Sequence, residues 1–260
     1  MDDNLNAEIA VIDTEYSVDW QENIASKKIL PDIQEHLDYL VKVYNFCFDI
    51  QSILDKKTYG EVGSELMAQM IILMRITDFL RNILFAIIRG YPDQAGTLGS
   101  SIFELAHTSA YFLHNPEAAI KWLASDGANE NMPNLIGVSS YKQLVEYNYA
   151  LKNMESNSHL EYKVYRQLCW MKYSHPAMQD VALVDAKFQF LIGPHTDERS
   201  IKHAWFSIYH SGRLAELTIG NLCTLSDMEV VQTKLEMLAK IRDDLDKKTV
   251  ARFGSIDLFK

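Results

Sequence analysis

Residues that start or end helices, with apolar residues at helical spacing between them, recur along almost the whole chain. This pattern constrains the fold more than any other feature. Pro31 opens the segment PDIQEHLDYLVKVYNFCFDIQSILDKK, whose apolar residues follow one another at three- and four-residue steps: Ile33, Leu37, Leu40, Tyr44 and Cys47. Such spacing places apolar side chains on one face of an α-helix, and proline is favoured in a first helical turn. The segment therefore predicts a long amphipathic helix that begins at Pro31.

Further helix starts and stops follow. A second helix is expected from about Ser64 to Arg89, and Pro92 and Pro116 each open another. Three capping boxes mark later starts, because a serine and a Glu or Gln three residues on can satisfy each other's backbone amides: Ser140 with Gln143, Ser158 with Glu161, and Ser226 with Glu229. The pattern predicts an all-α bundle of about seven helices, with at most a short extended segment near 186–192.

Charge and loop composition suggest the domain limits. Between Met1 and Ser26 there are seven acidic residues and no Lys or Arg. We expect an acidic N-terminal segment at 1–28, a single helical domain at 29–250 and a C-terminal tail at 251–260. A loop near 127–138 could bound two sub-bundles within that domain.

The net charge of the chain and the position of its charged residues limit the partners that can be expected. A net charge of −10 repels phosphate backbones, so broad binding to nucleic acid or to an anionic membrane is not expected. The most apolar stretch, which starts at Met70, carries three charges that would be costly in lipid: Arg75, Asp78 and Arg81. We therefore expect no membrane partner. The three cysteines are widely separated and odd in number, which favours a reduced, cytoplasmic protein.

The stretch GPHTDERSIKHAWFSIYH, residues 193–210, contains three histidines beside a helix start. Thr196 or Asp197 can cap a helix that runs to about Leu222. This helix is apolar on two sides, so we expect it near the centre of the bundle. His203 and His210 are separated by about two turns, roughly 10 Å, which is too far to share one zinc ion. No metal site and no cofactor are therefore predicted.

A polar cluster is expected where the second and third helices fold back on each other. Arg75 and Asp78 share a face of the second helix, and Glu104 and His107 share a face of the third. Buried charges must find partners, so the two faces are expected to meet as an ion-pair network that fixes the helix register. The alternative is a ligand or catalytic pocket that Tyr173 and His175 complete.

Two other patterns in these helices receive simpler interpretations. Glu104-x-x-His107 has the spacing of carboxylate-bridged di-iron bundles, but the second Glu-x-x-His that such sites need is missing. Met67, Met70 and Met74 are interpreted as core-filling residues.

Residues 65–225 carry a resemblance to a known family. The turn RGYPDQA (Arg89–Ala95), the helix segment LGSSIFELA (Leu98–Ala106) and the later MKYSHP (Met171–Pro176) resemble a prokaryotic all-helical family of unknown function. The resemblance implies a helical fold, and some helical relatives belong to phage-defence or toxin–antitoxin systems. Where the family usually has arginine, this chain has Ser100, which puts any anion binding through that position in doubt.

A more distant relationship to HEPN ribonucleases and toxins is an alternative. Those proteins carry Arg and His on one helical face, separated by four to six residues. Here Arg199 and His203 are separated by three residues, and Arg166 and His175 by eight. Neither pair has the HEPN spacing.

Three functions are therefore predicted. The first is action by association, as a homo-oligomer or as a component of a defence-type assembly, with a protein partner or a second copy. The second is a HEPN-like ribonuclease or other hydrolase that uses His175 with Arg75 or Arg166, which would bring RNA in as substrate. The third is a sensor that binds a small molecule.

Overall fold

The computed structural model describes residues 18–58, 62–125, 132–172, 194–226, 229–255 and 257–258, and all regular structure in these ranges is helical. The helices are α1 (Val18–Thr58), α2 (Ser64–Ile88), α3 (Pro92–His114), α4 (Pro116–Ala124), α5 (Met132–Leu135), α6 (Tyr141–Ala150), α7 (Glu155–Lys172), α8 (Glu198–Ser226) and α9 (Glu229–Phe253). The predicted all-α class is confirmed. The stretch 186–192 lies outside the described residues.

The first helix is longer than the sequence predicted. It begins at Val18 and runs through Pro31, where a start was expected. Ala25 and Ile29 are buried and continue the apolar stripe of α1 towards the N-terminus. Burial of this stripe outweighs the hydrogen bond that Pro31 cannot donate. Residues 18–28 of the predicted acidic segment are therefore part of helix α1, and residues 1–17 lie outside the described residues.

The three predicted capping boxes have different outcomes. Ser140 caps α6, since its Oγ accepts a bond of 3.3 Å from the amide of Gln143. The side chain of Gln143 reaches back to the amide of Ser139 at 2.7 Å, one residue earlier than expected. The Ser158 box is wrong, because α7 already begins at Glu155 and Ser158 Oγ donates to its carbonyl at 2.8 Å. The third box includes residues 227 and 228, which lie outside the described ranges.

Helix α8 is central, as its two apolar sides predicted. It packs against α1, α2, α3 and α9, and Asp197 caps its start by accepting a bond of 2.7 Å from the amide of Ser200. Gly212 lets Tyr39 of α1 approach closely, since a Cβ at that position would lie 2.6 Å from the tyrosine ring.

Helices α2 and α3 form the expected antiparallel hairpin. The chain reverses at Gly90, whose φ of +87° is readily available only to glycine. A buried polar network joins the two helices to α8: Gln69 Nε2 donates to the carbonyl of Ser109 at 2.8 Å, and Asn221 Nδ2 donates to Ser109 Oγ at 3.0 Å. Within the described ranges, every helix is too short or too polar to cross a membrane.

Candidate functional site

The two predicted site residues on α2 lie on its outer side. Arg75 and Asp78 are exposed, and the guanidinium of Arg75 lies 4.8 Å from the centre of the Phe79 ring. Among the described residues, Arg75 forms no ion pair with Asp78 or Glu104. The reason is that α2 buries an apolar stripe that includes Ile76 and Leu80. Arg75 and Asp78 lie off this stripe and are exposed.

The two predicted site residues on α3 face away from α2. Glu104 accepts a hydrogen bond of 2.8 Å from the hydroxyl of Tyr165 on α7. His107 is buried, and its Nε2 lies 3.1 Å from Oε1 of Glu161 on the same helix α7. The predicted contact between the polar faces of α2 and α3 is therefore wrong. Tyr173 and His175 lie outside the described residues.

A different charged cluster forms around Glu161. Its Oε1 accepts hydrogen bonds from His107 and, at 2.6 Å, from Nη2 of Arg213 on α8. The hydroxyl of Tyr149 on α6 lies near this pair: burial and the charge of Glu161 raise its pKa to about 12, and the charge of Arg213 opposes that increase. Burial alone would raise the pKa of the Glu161 carboxyl, but the charge of Arg213 and the hydrogen bond from His107 hold that pKa far below its usual range. Glu161 is therefore a buried carboxylate that holds Arg213 in place.

His107 is held in one tautomer by its neighbours. Burial lowers the pKa of His107, and the hydrogen bond to Glu161 opposes that shift without cancelling it. Nε2 of the neutral ring donates to Glu161, so Nδ1 is left as the acceptor that faces Nδ2 of Asn148 at 3.4 Å. Asn148 Nδ2 also donates to the His107 carbonyl at 2.8 Å. Oδ1 of Asn148 is buried and has no hydrogen-bond partner in the described part of the chain.

A second buried carboxylate, that of Glu216, lies on α8 about one helical turn after Arg213. Glu216 accepts a hydrogen bond of 2.6 Å from the hydroxyl of Tyr39 and forms an ion pair with Arg242 of α9. Burial raises the pKa of Glu216, and Arg242 and Tyr39 offset only part of that increase. Nε of Arg242 is a buried donor without a partner in the described ranges. The two pairs thus hold two guanidinium groups on one side of the bundle.

These side chains surround a cavity of about 450 Å³ between α3, α6, α8 and α9. This volume is within the usual range for a small-molecule site. Three cationic side chains line the cavity, from Lys152, Arg213 and Arg242, together with two carboxylates, from Glu216 and Glu236. His107 and Asn148 complete the polar part of the wall, and Leu217 and Leu235 belong to the apolar part. Both signs of charge are therefore available to one bound molecule.

The three histidines of the 193–210 stretch do not form one site, and each has its own structural surroundings. The backbone amide of His195 donates to the Gly90 carbonyl at 2.8 Å, and His203 Nδ1 lies 2.9 Å from a carboxylate oxygen of Asp93. His210 is buried, and that burial, with the charge of Arg213, lowers its pKa to about 3. In the part of the chain that the structure describes, no three His, Cys, Asp or Glu side chains are grouped as metal ligands would be.

Of the predicted site residues that the structure describes, only His107 lines this cavity. The sequence patterns did not predict the other charged residues of the site, Glu161, Arg213, Glu216 and Arg242. A usable signal was present in α8, where Arg213 and Glu216 interrupt a segment that is otherwise apolar or small on both sides, SGRLAELTIGNL. A charge in the middle of a central helix needs a buried partner, and this criterion would have selected both residues.

Comparison with known proteins identifies no relative of this chain. No family model matches the chain, and no curated protein and no solved structure matches it either. The resemblance to the helical family of unknown function stays a prediction.

Proposed function

We propose that this protein binds a small zwitterionic molecule, one that carries a carboxylate and an ammonium group, in the cavity beside Arg213. The observation that carries the proposal is the pair of fixed guanidinium groups that share one wall with carboxylates. Glu161 and Glu216 each hold an arginine by an ion pair, so Arg213 and Arg242 need little rearrangement to receive a ligand.

The positive side of the cavity suits a carboxylate. The Arg213 side chain bonds Glu161 through Nη2, and a guanidinium has five N–H donors in a fixed fork. Lys152 adds an exposed ammonium group at the rim. A ligand carboxylate between these two side chains would receive charge-assisted hydrogen bonds, which are about twice as strong as neutral ones.

The negative side suits an ammonium group. Glu216 and Glu236 line the same cavity, and Glu236 is on the exposed part of α9. The orphaned Oδ1 of Asn148 is a further acceptor, and a buried acceptor without a donor costs about 1–3 kcal/mol. A donor group on the ligand would remove that cost. A molecule with one charge alone would leave part of this wall unpaired.

The test is thermal unfolding in the presence of a panel of free amino acids, each compared with the carboxylic acid and the amine of the same carbon skeleton. A ligand that binds the native state raises the melting temperature, and the rise grows with ligand concentration. We expect a concentration-dependent rise with at least one amino acid and a smaller rise, or none, with its single-charge analogues.

Two exposed wall residues and one matched residue give the controls. Lys152→Gln and Glu236→Gln each remove one charge from the cavity without disturbing a buried ion pair, and both are expected to weaken binding at least tenfold. Lys142→Gln removes an exposed lysine from α6 that does not line the cavity, and it should leave binding unchanged. The proposal fails if no amino acid shifts the melting temperature, or if the three variants behave alike.

The other predicted functions have less support. Arg75 and Arg166 are exposed, each stacks on an aromatic ring of its own helix, and neither lines the cavity. His175 lies outside the described residues. A ribonuclease activity and membership of a defence-type assembly therefore stay predictions.

A further inference from the structure

The outer side of α2 exposes apolar side chains where the sequence suggested core. Met67 and Met74 are 40% and 54% exposed, so their interpretation as core-filling residues is wrong. Ile71 and Phe85 on the same helix are 39% and 47% exposed. Of the fifteen large apolar side chains exposed in the described ranges, these four lie on one helix.

These residues form a continuous seam with the spacing of a coiled coil. Alternating steps of four and three residues connect the six seam positions, Met67, Ile71, Met74, Asp78, Arg81 and Phe85. A repeat of 3.5 residues keeps a seam aligned with a partner helix along its length. The opposite side of α2, with Ile72, Ile76 and Leu80, is buried in the bundle. Helix α2 thus has one stripe for its own core and a second stripe at the surface.

Helix α1 continues the apolar surface beside the seam. Gln51 of α1 donates to Thr77 at 3.3 Å, which fixes the side on which the two helices meet. Val41 and Phe48 are seven residues apart on α1, so they share one side of that helix, and they are 40% and 48% exposed.

We infer that a second copy of this chain docks on the α2 seam, with the two α2 helices antiparallel about a two-fold axis. The charges in the seam select this partner. If the axis lies midway between positions 78 and 81, Asp78 of each copy meets Arg81 of the other, and Met74 meets Phe85. Neither Asp78 nor Arg81 forms an ion pair within the described part of its own chain. The seam is therefore complementary to itself in this register, as a two-fold interface requires.

This docking surface is separate from the cavity. The seam lies on α2, whereas the cavity lies between α3, α6, α8 and α9. The inference is therefore independent of the proposed function, and either can fail alone.

The experiment is light scattering after size exclusion at tens of micromolar protein. The wild-type chain is expected at twice its mass of 29.8 kDa. Asp78→Arg and Arg81→Asp each place like charges opposite each other twice in the dimer, so each variant alone should run as a monomer. The double variant, Asp78→Arg with Arg81→Asp, restores opposite charges at both places and should restore the dimer.

Mixing the two single variants is the most direct test of the proposed pairing. When Asp78→Arg chains meet Arg81→Asp chains, both cross-pairs become attractive, so the mixture should form a mixed dimer although neither variant dimerises alone. Lys240→Asp reverses an exposed charge on α9, which packs mainly against α8 and α1, and it should leave the dimer intact. Since positions 78 and 81 are exposed, each variant should keep the helical circular-dichroism spectrum of the wild-type chain. The inference would be overturned if the wild-type chain were a monomer. It would also be overturned if the Asp78→Arg and Arg81→Asp variants each remained dimeric.

Discussion

Oε1 of Glu161 lies 2.6 Å from Nη2 of Arg213 and joins α7 to the central helix α8. Glu161 is buried, so its charge depends on this partner and on His107. Removing one member of such a pair costs about 3–5 kcal/mol, because the remaining charge stays buried and unpaired. Replacing both members with uncharged groups of similar shape costs far less.

The first prediction follows from this asymmetry. Arg213→Met should lower the free energy of unfolding in urea by about 3 kcal/mol, and the double variant with Glu161→Gln should recover most of that loss. Lys142→Met breaks the exposed pair with Glu146 on α6 and should change stability by less than about 1 kcal/mol. If Arg213→Met and Lys142→Met lost the same stability, the buried pair would have no special role.

Two glycines of α8 provide the second prediction. Gly212→Ala would place a methyl group 2.6 Å from the Tyr39 ring, and Tyr39 is itself held by Glu216. The ring and its hydrogen bond must shift, so we expect a loss of about 1–3 kcal/mol in the free energy of unfolding. Gly220→Ala meets its nearest atom at 4.0 Å, on Leu235. That variant should gain about 0.5–1 kcal/mol from the lower backbone entropy of the unfolded chain.

A single measurement can contradict the prediction for the two glycine variants. Both variants are measured by urea unfolding at one temperature, and the sign of the change should differ between them. A gain at position 212 would mean that α1 can move away from α8 without cost, so the close approach of these two helices would not be a fixed feature of the core.

Much of the fold is predictable from the sequence because each helix is punctuated locally. Pro92, Pro116, Ser140 and Asp197 mark helix starts through contacts within one turn, and those starts are found where they were expected. Pro31 failed as a start because burial of Ala25 and Ile29 against distant helices decides where α1 begins. A local signal can be outweighed by tertiary packing, and the sequence alone does not contain that packing.

The candidate site was harder to predict, because its residues come from five helices, α3, α6, α7, α8 and α9. The hairpin of α2 and α3 was expected, but counting residues from its turn does not determine which face of each helix turns towards the other. Arg75 and Asp78 interrupt an apolar sequence, which suggested burial. That sequence contains two stripes, however: Ile76 and Leu80 face the core, whereas Ile71 and Met74 are exposed like the two charged residues. His107 was expected to contact α2 and instead contacts Glu161 of α7.

The last prediction concerns acid stability and His36. Its ring stacks on Trp205 with a centroid distance of 4.1 Å, and Nε2 lies 3.3 Å from Thr249 Oγ1. Burial lowers the pKa of His36 from 6.5 to about 4, and the nearby Glu35 opposes that shift while Lys248 adds to it. The folded protein thus keeps this ring neutral at pH values where the unfolded chain protonates it.

The sign of the effect follows from proton binding. Between pH 6.5 and pH 4 the unfolded state binds more protons at His36 than the folded state, so acid lowers the free energy of unfolding over this window. The limiting slope is about 1.4 kcal/mol per pH unit, and the contribution stops falling below the folded pKa. His210 and Glu161 add their own acid sensitivity, so His36 must be isolated by difference. His36→Gln should lie below the wild type at pH 7, and the gap should narrow by about 3 kcal/mol by pH 4. Urea unfolding of both proteins at half-unit steps of pH measures this gap, and a gap that stays constant would show that His36 is not held neutral by its surroundings.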